Sequence, residues 1–479
     1  MPAFNLLEAP WIPVLRDGRV QEVGVAEALV QAHTIHRIEA PSPLEEMALH
    51  RLLLAVLHRA LRGPANEGEA LDLLNAGKFD RSTVEDYLAR FRDRFYLFHG
   101  TAPFWQVADL PGKDPLPWSK LLPDLASGNN PTLFDHTVAD RVPKVSYAEA
   151  ARALLVHQNY APGGLIRRLG VTSAKDAPLA RPAAFLAVGR NLFETLVLNL
   201  VPQSTSAGAA IWEVPPLTTA KVRGHATKWP LQGVARVYTW PSRGVRLLDA
   251  GDGVRETAYG PGVEPVDVVW RDPMVAYRRS QLGQVVPLRL DVERSFWRDF
   301  RAMLPVAGGS WPAVLQHASR LAAEVKTDFG VRVLGQVSDQ AKVMDIRREV
   351  YRLPRDLLSP KGEVQLQKAL ELGEEVGRRL EKVAWGVAQG VLGDKNPDEL
   401  RFFGKSLPLL RLYWEQLDHA FLRFLEALGG GGALEEWREE VRKAASRSWR
   451  ETIHFVGVRG RHLKALAVGE RALAEVLRC

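Results

Sequence analysis

Apolar residues recur at helical spacing throughout residues 363–479, and this pattern limits what the chain can fold into more than any other feature. The pattern breaks after Val391, at four consecutive glycines, Gly429–Gly432, and again near Gly457. These breaks separate four helical runs, each with an apolar face that needs a partner. The pattern therefore predicts a four-helix bundle joined by short loops.

The residues before this region mix short alternating runs with helical ones. Alternation predicts a strand pair over Ala3–Val14 and Arg19–Val25, and two further strands over Leu231–Leu248 with a bend at Pro241. Helical spacing predicts helices over Pro43–Leu61, Glu69–Ala76, Val84–Phe95 and Tyr147–Asn159. No repeat with a period of about 20–50 residues occurs, which disfavours solenoids and propellers.

A domain boundary is expected where a proline and a glycine interrupt the pattern, at Ser359-Pro360-Lys361-Gly362. The chain has 479 residues, and at roughly 100–200 residues per domain this length suits two or three folded units. We therefore predict an α+β fold with a large mixed N-terminal domain, 1–360, followed by a C-terminal four-helix bundle, 363–479.

The single cysteine, Cys479, excludes intramolecular disulfides and thiolate-rich zinc or iron–sulfur sites. A chain with so little cysteine suits the reducing cytoplasm, where we expect this protein to be found. No run approaches the ~18 uninterrupted apolar residues of a membrane-spanning helix, so no membrane partner is expected. Lysine and arginine total 63 against 56 acidic residues, and the net charge of +7 favours polyanionic partners.

The common catalytic and cofactor-binding motifs are incomplete in this sequence. Phe403-Gly404-Lys405-Ser406 ends like a phosphate-binding loop, but Glu399 occupies the position of that loop's first glycine. The glycines at 429–432 lack the strand-to-helix context of a dinucleotide site. No two of the twelve histidines have the spacing and intervening glutamate of a helical zinc motif. We therefore expect no enzyme activity, no cofactor and no metal.

Glycine beside positive charge marks a first candidate binding segment. Gly163 and Gly164 precede Arg167 and Arg168, and Asp176 is the only acidic residue before residue 190 in this window. Because glycine has no Cβ, such a segment lets a phosphate backbone approach, and its amides can donate hydrogen bonds. The alternative interpretation is a simple turn that ends a helix and carries solvated arginines.

A second candidate segment, Ser338-Asp339-Gln340-Ala341-Lys342, precedes Arg347 and Arg348. In the functional interpretation, Gln340 bonds to base edges or enters a base step, while Lys342 and the arginines contact phosphates. In the structural alternative, Asp339 caps the N-terminus of a helix that follows.

A third basic tract lies in the last helical run. Between residues 442 and 464, seven basic residues are opposed only by Glu451. Those nearest the start of this tract are Arg442, Lys443, Arg447 and Arg450. Charge runs of this kind are commonly solvated helix faces, but the imbalance also suits contacts with a DNA backbone.

The opening of the chain, Phe4-Asn5-Leu6-Leu7 followed by Pro10-Trp11-Ile12-Pro13-Val14, resembles that of the CasA family. CasA is the large subunit of the subtype I-E CRISPR Cascade surveillance complex. Further segments that resemble this family are Ser127-Gly128-Asn129-Asn130, Ala161-Pro162-Gly163-Gly164, Trp240-Pro241-Ser242-Arg243 and Asp339-Gln340-Ala341. The resemblance covers nearly the whole chain and ends in the helical bundle.

The resemblance implies a subunit that does not cut DNA. Such a subunit inspects double-stranded DNA for a protospacer-adjacent motif, helps to open the duplex and so promotes R-loop formation. It also recruits a separate helicase-nuclease. In RNA-guided effectors generally, protein reads the motif and base pairing reads the remaining sequence. The implied partners are double-stranded target DNA, the guide RNA 5′ end, the other Cascade subunits including the small subunits, and the helicase-nuclease.

The resemblance also implies roles for individual residues. The positions that match the family's motif-reading loops are Gly163, Gly164, Asp339, Gln340 and Ala341. The glycines match a loop that approaches the minor groove, and Gln340 matches a wedge that starts strand separation. The positions that match a flexible loop near the guide RNA 5′ end are Phe134, Asp135 and His136. The bundle would lie along the small subunits, with its basic tract near the DNA.

The chain departs from the family pattern after Val254–Tyr259, where some relatives place a minor-groove lysine. Here the sequence is Gly260-Pro261-Gly262-Val263-Glu264-Pro265, without lysine. Some relatives also carry clustered cysteines just upstream, and their absence from this sequence predicts that no zinc is bound. The alternative function is a structural scaffold that binds protein subunits or guide RNA without reading DNA. Acidic residues in the bundle, such as Glu435 and Glu436, are compatible with it.

Overall fold

The computed structural model describes residues 3–123, 143–203, 207–266, 271–280, 282–291, 294–303, 311–339, 342–354, 357, 359–393, 395–428 and 430–478. The chain divides into two compact units. Unit 1 comprises Met1–Glu293 and Pro305–Val350, and unit 2 comprises Arg294–Leu304 and Tyr351–Cys479. Strands and helices mix in the first unit and long helices dominate the second, which confirms the predicted α+β fold class.

This division differs from the predicted boundary in two places. Residues 351–360 belong to unit 2, and so does Arg294–Leu304, although its neighbours in sequence belong to unit 1. The linker predicted at residues 359–362 is instead the start of a long helix. The Ser359 side chain accepts a 3.0 Å hydrogen bond from the Gly362 backbone N–H, and proline occupies the first helical position.

The strands form separate two- and three-stranded sheets in the described part of the chain. They are β1 Ala3–Asn5, β2 Ile12–Arg16, β3 Arg19–Val23, β4 Arg37–Ile38, β5 Tyr96–Phe98, β6 Leu116–Pro117, β7 Gly164–Arg168, β8 Val171–Ala174, β9 Ala184–Val188, β10 Lys228–Pro230, β11 Arg243–Asp249, β12 Val254–Pro261, β13 Glu264–Val266, β14 Tyr277–Arg279, β15 Val285–Pro287, β16 Phe329–Asp339 and β17 Lys342–Leu353. The helices of unit 1 are α1 Val25–Val30, α2 Pro43–Ala60, α3 Glu67–Ala76, α4 Arg81–Arg90, α5 Tyr147–Tyr160, α6 Leu192–Asn199, α7 Thr219–Val222, α8 Val234–Tyr238 and α9 Ala313–Val325.

The predicted strand pair near the N-terminus is confirmed in part as the β2–β3 hairpin. The start of its first predicted strand, Ala3–Asn5, is instead the separate strand β1, which pairs with β5. The turn of the hairpin consists of Asp17 and Gly18, with φ angles of 49° and 74°. Two left-handed residues in succession match the right-handed twist of the flanking strands. Trp11, just before β2, is buried, and its indole N–H donates a 2.8 Å hydrogen bond to the Leu6 carbonyl. The tryptophan of the opening motif is therefore part of the core.

Helix α2 lies at the centre of unit 1 and confirms the helix predicted over this segment. The Ser42 hydroxyl caps it by accepting a 3.2 Å hydrogen bond from the Leu44 N–H. Most of the residues from Leu44 to His58 are buried, because α2 contacts α5, α8 and β16 on different sides. Helix α2 therefore packs against α5 and β16, the two elements that lead to the candidate site.

The prediction of two strands over Leu231–Leu248 is wrong in its first half. Val234–Tyr238 forms the short helix α8, whereas β11 is a strand as expected. Most residues of α8 are apolar and buried against α2. A short apolar run satisfies the strand and the helix pattern equally, so packing rather than periodicity decides its structure.

Four long helices and one short one make up most of unit 2. They are α10 Pro360–Leu392, α11 Pro397–Ser406, α12 Pro408–Glu426, α13 Ala433–Val456 and α14 Arg461–Val476. The long helices α10, α12, α13 and α14 pack as the predicted bundle, and α11 leads from α10 to α12. Pro408 separates α11 from α12, because a proline inside a helix would lack the N–H that the preceding turn needs.

The segment Arg294–Leu304 fills the aromatic core of unit 2. The Trp297 ring stacks on Phe421, with centroids 4.7 Å apart, and lies 5.8 Å from the Trp437 ring. Its indole N–H donates a 2.6 Å hydrogen bond to Oδ1 of Asp418. These contacts explain why this segment belongs to the bundle and not to the unit that precedes it in sequence.

Candidate nucleic-acid interface

The glycine segment joins α5 to the β7–β8 hairpin. Pro162 follows the last turn of α5, and Gly163 leads into β7. A Cβ at Gly163 would lie 2.9 Å from the Asp176 N atom and 3.1 Å from the Ala174 O atom, so a side chain does not fit there. Gly164 is exposed, with φ +154° and no described atom within 4 Å of a Cβ position. The backbone at Gly164 is therefore open to an approaching ligand.

Most cations around this segment already have partners. Arg168 donates a 3.0 Å hydrogen bond to the Asp114 carbonyl, and Arg181 lies 3.1 Å from Oδ2 of Asp176. Lys175 pairs with Glu264 at 3.0 Å. Arg167 is exposed and has no hydrogen-bond or ion-pair partner among the described residues. Of the two arginines predicted to contact a DNA backbone here, Arg167 is the one whose guanidinium is available.

The second predicted segment connects two long strands. Strands β16 and β17 lie side by side, and β16 also pairs antiparallel with β9. The alternative in which Asp339 caps a helix is therefore wrong, because Asp339 ends a strand. Residue type alone did not distinguish the two, since aspartate suits both helix caps and chain reversals. Gln340 and Ala341, which separate the strands in sequence, lie outside the described residues.

The two arginines predicted behind this segment both have carboxylate partners. Arg347 lies 2.8 Å from Asp345, and Arg348 lies 2.8 Å from Oε2 of Glu46. Glu46 is only 1% exposed and also binds Arg332 of β16. The carboxylate of Glu46 on α2 thus holds a guanidinium from each of the two strands. Arg348 anchors β17 to α2, which leaves its guanidinium less available for phosphate than the prediction supposed.

Strand β16 also contacts the end of α5, just before the glycine segment. The buried side-chain amide of Gln336 donates hydrogen bonds to the carbonyls of Tyr160, at 3.1 Å, and Ala180, at 2.7 Å. Tyr160 ends α5, three residues before Gly163, and Ala180 follows β8. Strand β16, which ends at Asp339, is therefore bound to the end of α5, where the glycine segment begins.

The third predicted tract lies on α13 in unit 2. Lys443, Arg447 and Arg450 recur at helical spacing and are exposed. Lys443 lies 3.3 Å from Glu440, whereas Arg447 and Arg450 have no acidic partner among the described residues. Arg442, the fourth predicted residue, is half-buried. The tract thus presents two arginines to solvent on one face of the helix.

A buried histidine near the glycine segment has a structural role. The His157 ring lies between the Leu121 carbonyl, at 3.0 Å, and the Tyr259 hydroxyl, at 3.2 Å. Burial lowers the pKa of His157 to about 3, so the imidazole is neutral near pH 7. Among the described residues, no three His, Cys, Asp or Glu side chains are grouped to hold a metal ion. No helix in the described ranges is long and apolar enough to cross a membrane.

The family model for CRISPR-associated protein Cse1 matches residues 5–448. The chain belongs to the CasA/Cse1 family. It is 58% identical to the CasA/Cse1 protein of Thermus thermophilus in an alignment 487 residues long, which covers 99% of this chain and 97% of that protein. The structure of Thermus thermophilus CasA superimposes with a TM-score of 0.93 at 56% identity and covers 100% of both chains.

More distant solved structures share the same fold. Thermobifida fusca Cse1 has a TM-score of 0.82 at 26% identity, over 100% of this chain and 97% of that one. A chain of a structure described as a CRISPR RNA-guided surveillance complex also reaches 0.82, at 23% identity, over 99% of this chain and 100% of that one. The likeness to this last chain is one of fold.

Three positions that the CasA resemblance assigns to a guide-RNA loop, Phe134, Asp135 and His136, lie outside the described residues. Their role therefore stays a prediction. After β12, where some relatives place a minor-groove lysine, this chain continues into the short strand β13.

One basic element of this CasA/Cse1 protein, the β14–β15 hairpin, was not predicted from sequence. Arg278, Arg279 and Arg289 are exposed and have no acidic partner among the described residues. Leu282, between the two strands, is 87% exposed. The signal was present in the sequence, because no acidic residue occurs between Asp272 and Asp291. A hairpin with uncompensated arginines and an apolar residue at its end suits contact with a nucleic-acid backbone.

Proposed function

We propose that this chain is the large subunit of a CRISPR Cascade surveillance complex and reads the protospacer-adjacent motif in double-stranded DNA. Membership in the CasA/Cse1 family supports this proposal, as does the shared fold with a chain of a surveillance complex. In this role the subunit promotes duplex opening and R-loop formation, recruits a separate helicase-nuclease and performs no catalysis itself. The complex works in the cytoplasm.

The observation that carries the proposal is the pair of hydrogen bonds from Gln336 of β16 to the carbonyls of Tyr160 and Ala180, which lie on either side of the glycine segment and the β7–β8 hairpin. A minor-groove reader needs a backbone that can come close to the bases, and Gly164 offers such a surface. A strand-opening device needs a second element held at a fixed place beside the first. The β16–β17 hairpin, whose connecting residues include Gln340, meets that need because β16 is tied to the end of α5.

Different residues of this subunit contact the DNA motif, the guide RNA and the other subunits. Gly163 and Gly164 admit the minor groove, while Gln340 enters the first base step with Asp339 and Ala341 as motif contacts. The minor groove distinguishes A·T from G·C pairs but little more, so several related motifs should be accepted. Phe134 and its neighbours contact the guide RNA 5′ end. The other Cascade subunits, including the small subunits, hold the bundle.

Positive charge on separate elements supplies affinity without sequence preference. The residues proposed to contact the DNA backbone are Arg167, Arg168, Lys342, Arg347, Arg348, Arg442, Lys443, Arg447 and Arg450, and to these the structure adds Arg278, Arg279 and Arg289. Arg167, Arg447 and Arg450 are the predicted members that combine exposure with the lack of an acidic partner among the described residues. We expect these three to contribute more than the paired Arg347 and Arg348.

The test is an electrophoretic mobility shift of target duplexes that differ only in the trinucleotide beside the target. Complexes assembled with and without this subunit are compared at fixed salt, because affinities for DNA depend strongly on ionic strength. Motif preference that requires the subunit and falls in Gln340→Ala supports the proposal. Binding that ignores the motif in both complexes contradicts it.

A scaffold that never reads DNA is the second candidate, and ion pairs in the bundle favour it. Arg423 lies 2.8 Å from Glu440, and Arg438 lies 2.7 Å from Glu435. A bundle surface whose cations are paired with acids of the same bundle suits protein partners better than a polyanion. Under this alternative, the subunit would be required for assembly but would leave the motif preference of the complex unchanged.

A further inference from the structure

We infer that Gln336 is a positioning residue that fixes the β16–β17 hairpin relative to the glycine segment. This inference rests on the proposed function, because it concerns how two motif-reading elements keep their relative position. It assigns to Gln336 no contact with DNA. Its role is to transmit the geometry of one element to the other through two hydrogen bonds.

The geometry of the Gln336 side chain fits this role. Gln336 is 1% exposed, and its amide nitrogen binds the carbonyls of both Tyr160 and Ala180. Two carbonyl partners fix the orientation of the amide, because only its NH₂ group can donate to both. Tyr160 is the last residue of α5, where carbonyls lack partners within the helix. The side chain therefore satisfies a helix end while it joins two separate segments.

The glycine segment is rigid enough to transmit such a constraint. The Ala177 N–H donates a 3.0 Å hydrogen bond to the Ala161 carbonyl, and Arg243 donates a 2.7 Å hydrogen bond to the Pro162 carbonyl. Asp176 accepts a 2.6 Å hydrogen bond from the Gly163 N–H. Each residue from 160 to 163 thus has a hydrogen bond to another element. A displacement of the Tyr160 carbonyl would move the segment as a whole.

Gln336 lies close enough to the end of β16 for its hydrogen bonds to constrain the position of Asp339. Asp339 follows Gln336 by three residues, which is about 10 Å along a strand. The anchor therefore lies close to the residues proposed to read the motif, whereas the ion pairs of Glu46 with Arg332 and Arg348 lie further back. Successive base pairs are only about 3.4 Å apart, so a shift of a few ångströms would misplace the wedge by one step.

The test compares Gln336→Met with Gln106→Met in the full-length chain within the complex. Methionine keeps a similar volume but removes both donors. Gln106 is a matched control, since it is buried and donates a 2.7 Å hydrogen bond to the Leu97 carbonyl, away from the glycine segment. Both variants lose a buried glutamine amide in the same unit. Only the first should uncouple the hairpin from the glycine segment.

The first readout is a distance that does not depend on DNA. Spin labels are placed at Leu165→Cys on β7 and Met344→Cys on β17, which are 68% and 42% exposed, in a Cys479→Ser background. Double electron–electron resonance spectroscopy should give a narrow distribution of the distance between the two spin labels in the parent and in Gln106→Met. We expect a broader distribution in Gln336→Met. An unchanged distribution in Gln336→Met would overturn the inference.

The second readout is motif-dependent strand opening, followed by 2-aminopurine fluorescence beside the motif. We expect Gln336→Met to slow opening about tenfold, because two buried hydrogen bonds are lost, with non-specific binding changed less than about twofold. A target already unpaired at the first base steps should restore normal R-loop formation. A merely destabilised protein would be impaired on both targets, and that result would also overturn the inference.

The parental complex separates this inference from the proposed function. A parental complex without motif preference would overturn the proposed function, and the role of Gln336 in opening with it. If the parental complex does prefer a motif and Gln340→Ala abolishes the preference, the proposed function stands. Normal opening by Gln336→Met would then overturn this inference alone.

Discussion

The backbone N–H of Gly163 donates a 2.6 Å hydrogen bond to Oδ1 of Asp176, beyond the end of the β7–β8 hairpin. The other carboxylate oxygen of Asp176 lies 3.1 Å from Nε of Arg181. In the sequence, Asp176 is the one acidic residue of a basic window and has no evident role there. In the structure, the Asp176 carboxylate fixes the Gly163 backbone through this hydrogen bond and pairs with Arg181.

We expect Asp176→Ala to loosen the glycine segment, because it removes the acceptor for the Gly163 N–H. The half-exposed carboxylate should contribute about 1 kcal/mol to the free energy of unfolding. Native-state hydrogen exchange should show faster exchange of the Gly163 amide. Asp176→Asn keeps an acceptor oxygen and should retain most of the protection. Equal exchange rates in the two variants would show that the hydrogen bond is not what holds the segment.

Loss of the buried Glu46 carboxylate on α2 should destabilise unit 1. Glu46→Gln leaves Arg332 and Arg348 without their shared counter-charge, and we expect a loss of about 2–3 kcal/mol in the free energy of unfolding. Arg348→Gln should cost less, because Arg332 still neutralises Glu46. Urea unfolding measures both. Glu85→Gln, which breaks an exposed pair with Arg81, is the control and should change the free energy by less than about 0.5 kcal/mol.

Buried histidines should make the protein sensitive to mild acid. Burial lowers the pKa of His58 and His157 to about 3 and that of His317 to about 4, from 6.5. Between these values the unfolded chain binds more protons than the folded one, so stability is complete above pH 6.5 and falls as the pH drops towards 4. At pH 5.5 each histidine should remove about 1 kcal/mol of the free energy of unfolding.

Urea unfolding at pH 7.5 and pH 5.5 measures this loss. His157→Gln should reduce the difference between the two pH values by about 1 kcal/mol, even if it lowers stability at both. The control is His454→Gln, which replaces an exposed histidine. A pH dependence that is the same in His157→Gln and in the parent would assign the effect to other groups.

Local signals account for the parts of the fold that the sequence predicted well. Asp17-Gly18 supports left-handed φ angles and so specifies the β2–β3 turn, and helical spacing locates the long helices of the bundle. Helix α8 and the β16–β17 hairpin were missed, because a short apolar run and a single aspartate fit two structures equally. In both cases, packing against residues distant in sequence determines the structure that forms.

The candidate site shows the same limit. The sequence identified glycines and arginines as candidates, but their partners come from remote segments, as Glu46 does for Arg348. Whether an arginine is available to DNA depends on such partners, which composition cannot reveal. The placement of Trp297 in the bundle likewise depends on Phe421 and Trp437, far along the chain. Packing between distant segments therefore determined what residue type and spacing left open.

Arg447 and Arg450 offer the clearest test of the bundle as a DNA-binding surface. Each cation that neutralises a phosphate releases counterions, and the slope of log affinity against log salt changes by about 0.9 per contact. Replacing both arginines with glutamine should make the slope shallower by about 1.8 and weaken binding equally for every motif. Arg411→Gln with Arg423→Gln is the matched control, because these bundle arginines already pair with acids on the same unit. If the two double variants have the same salt slope as the parent, α13 does not contact DNA, and the scaffold interpretation of the bundle gains support.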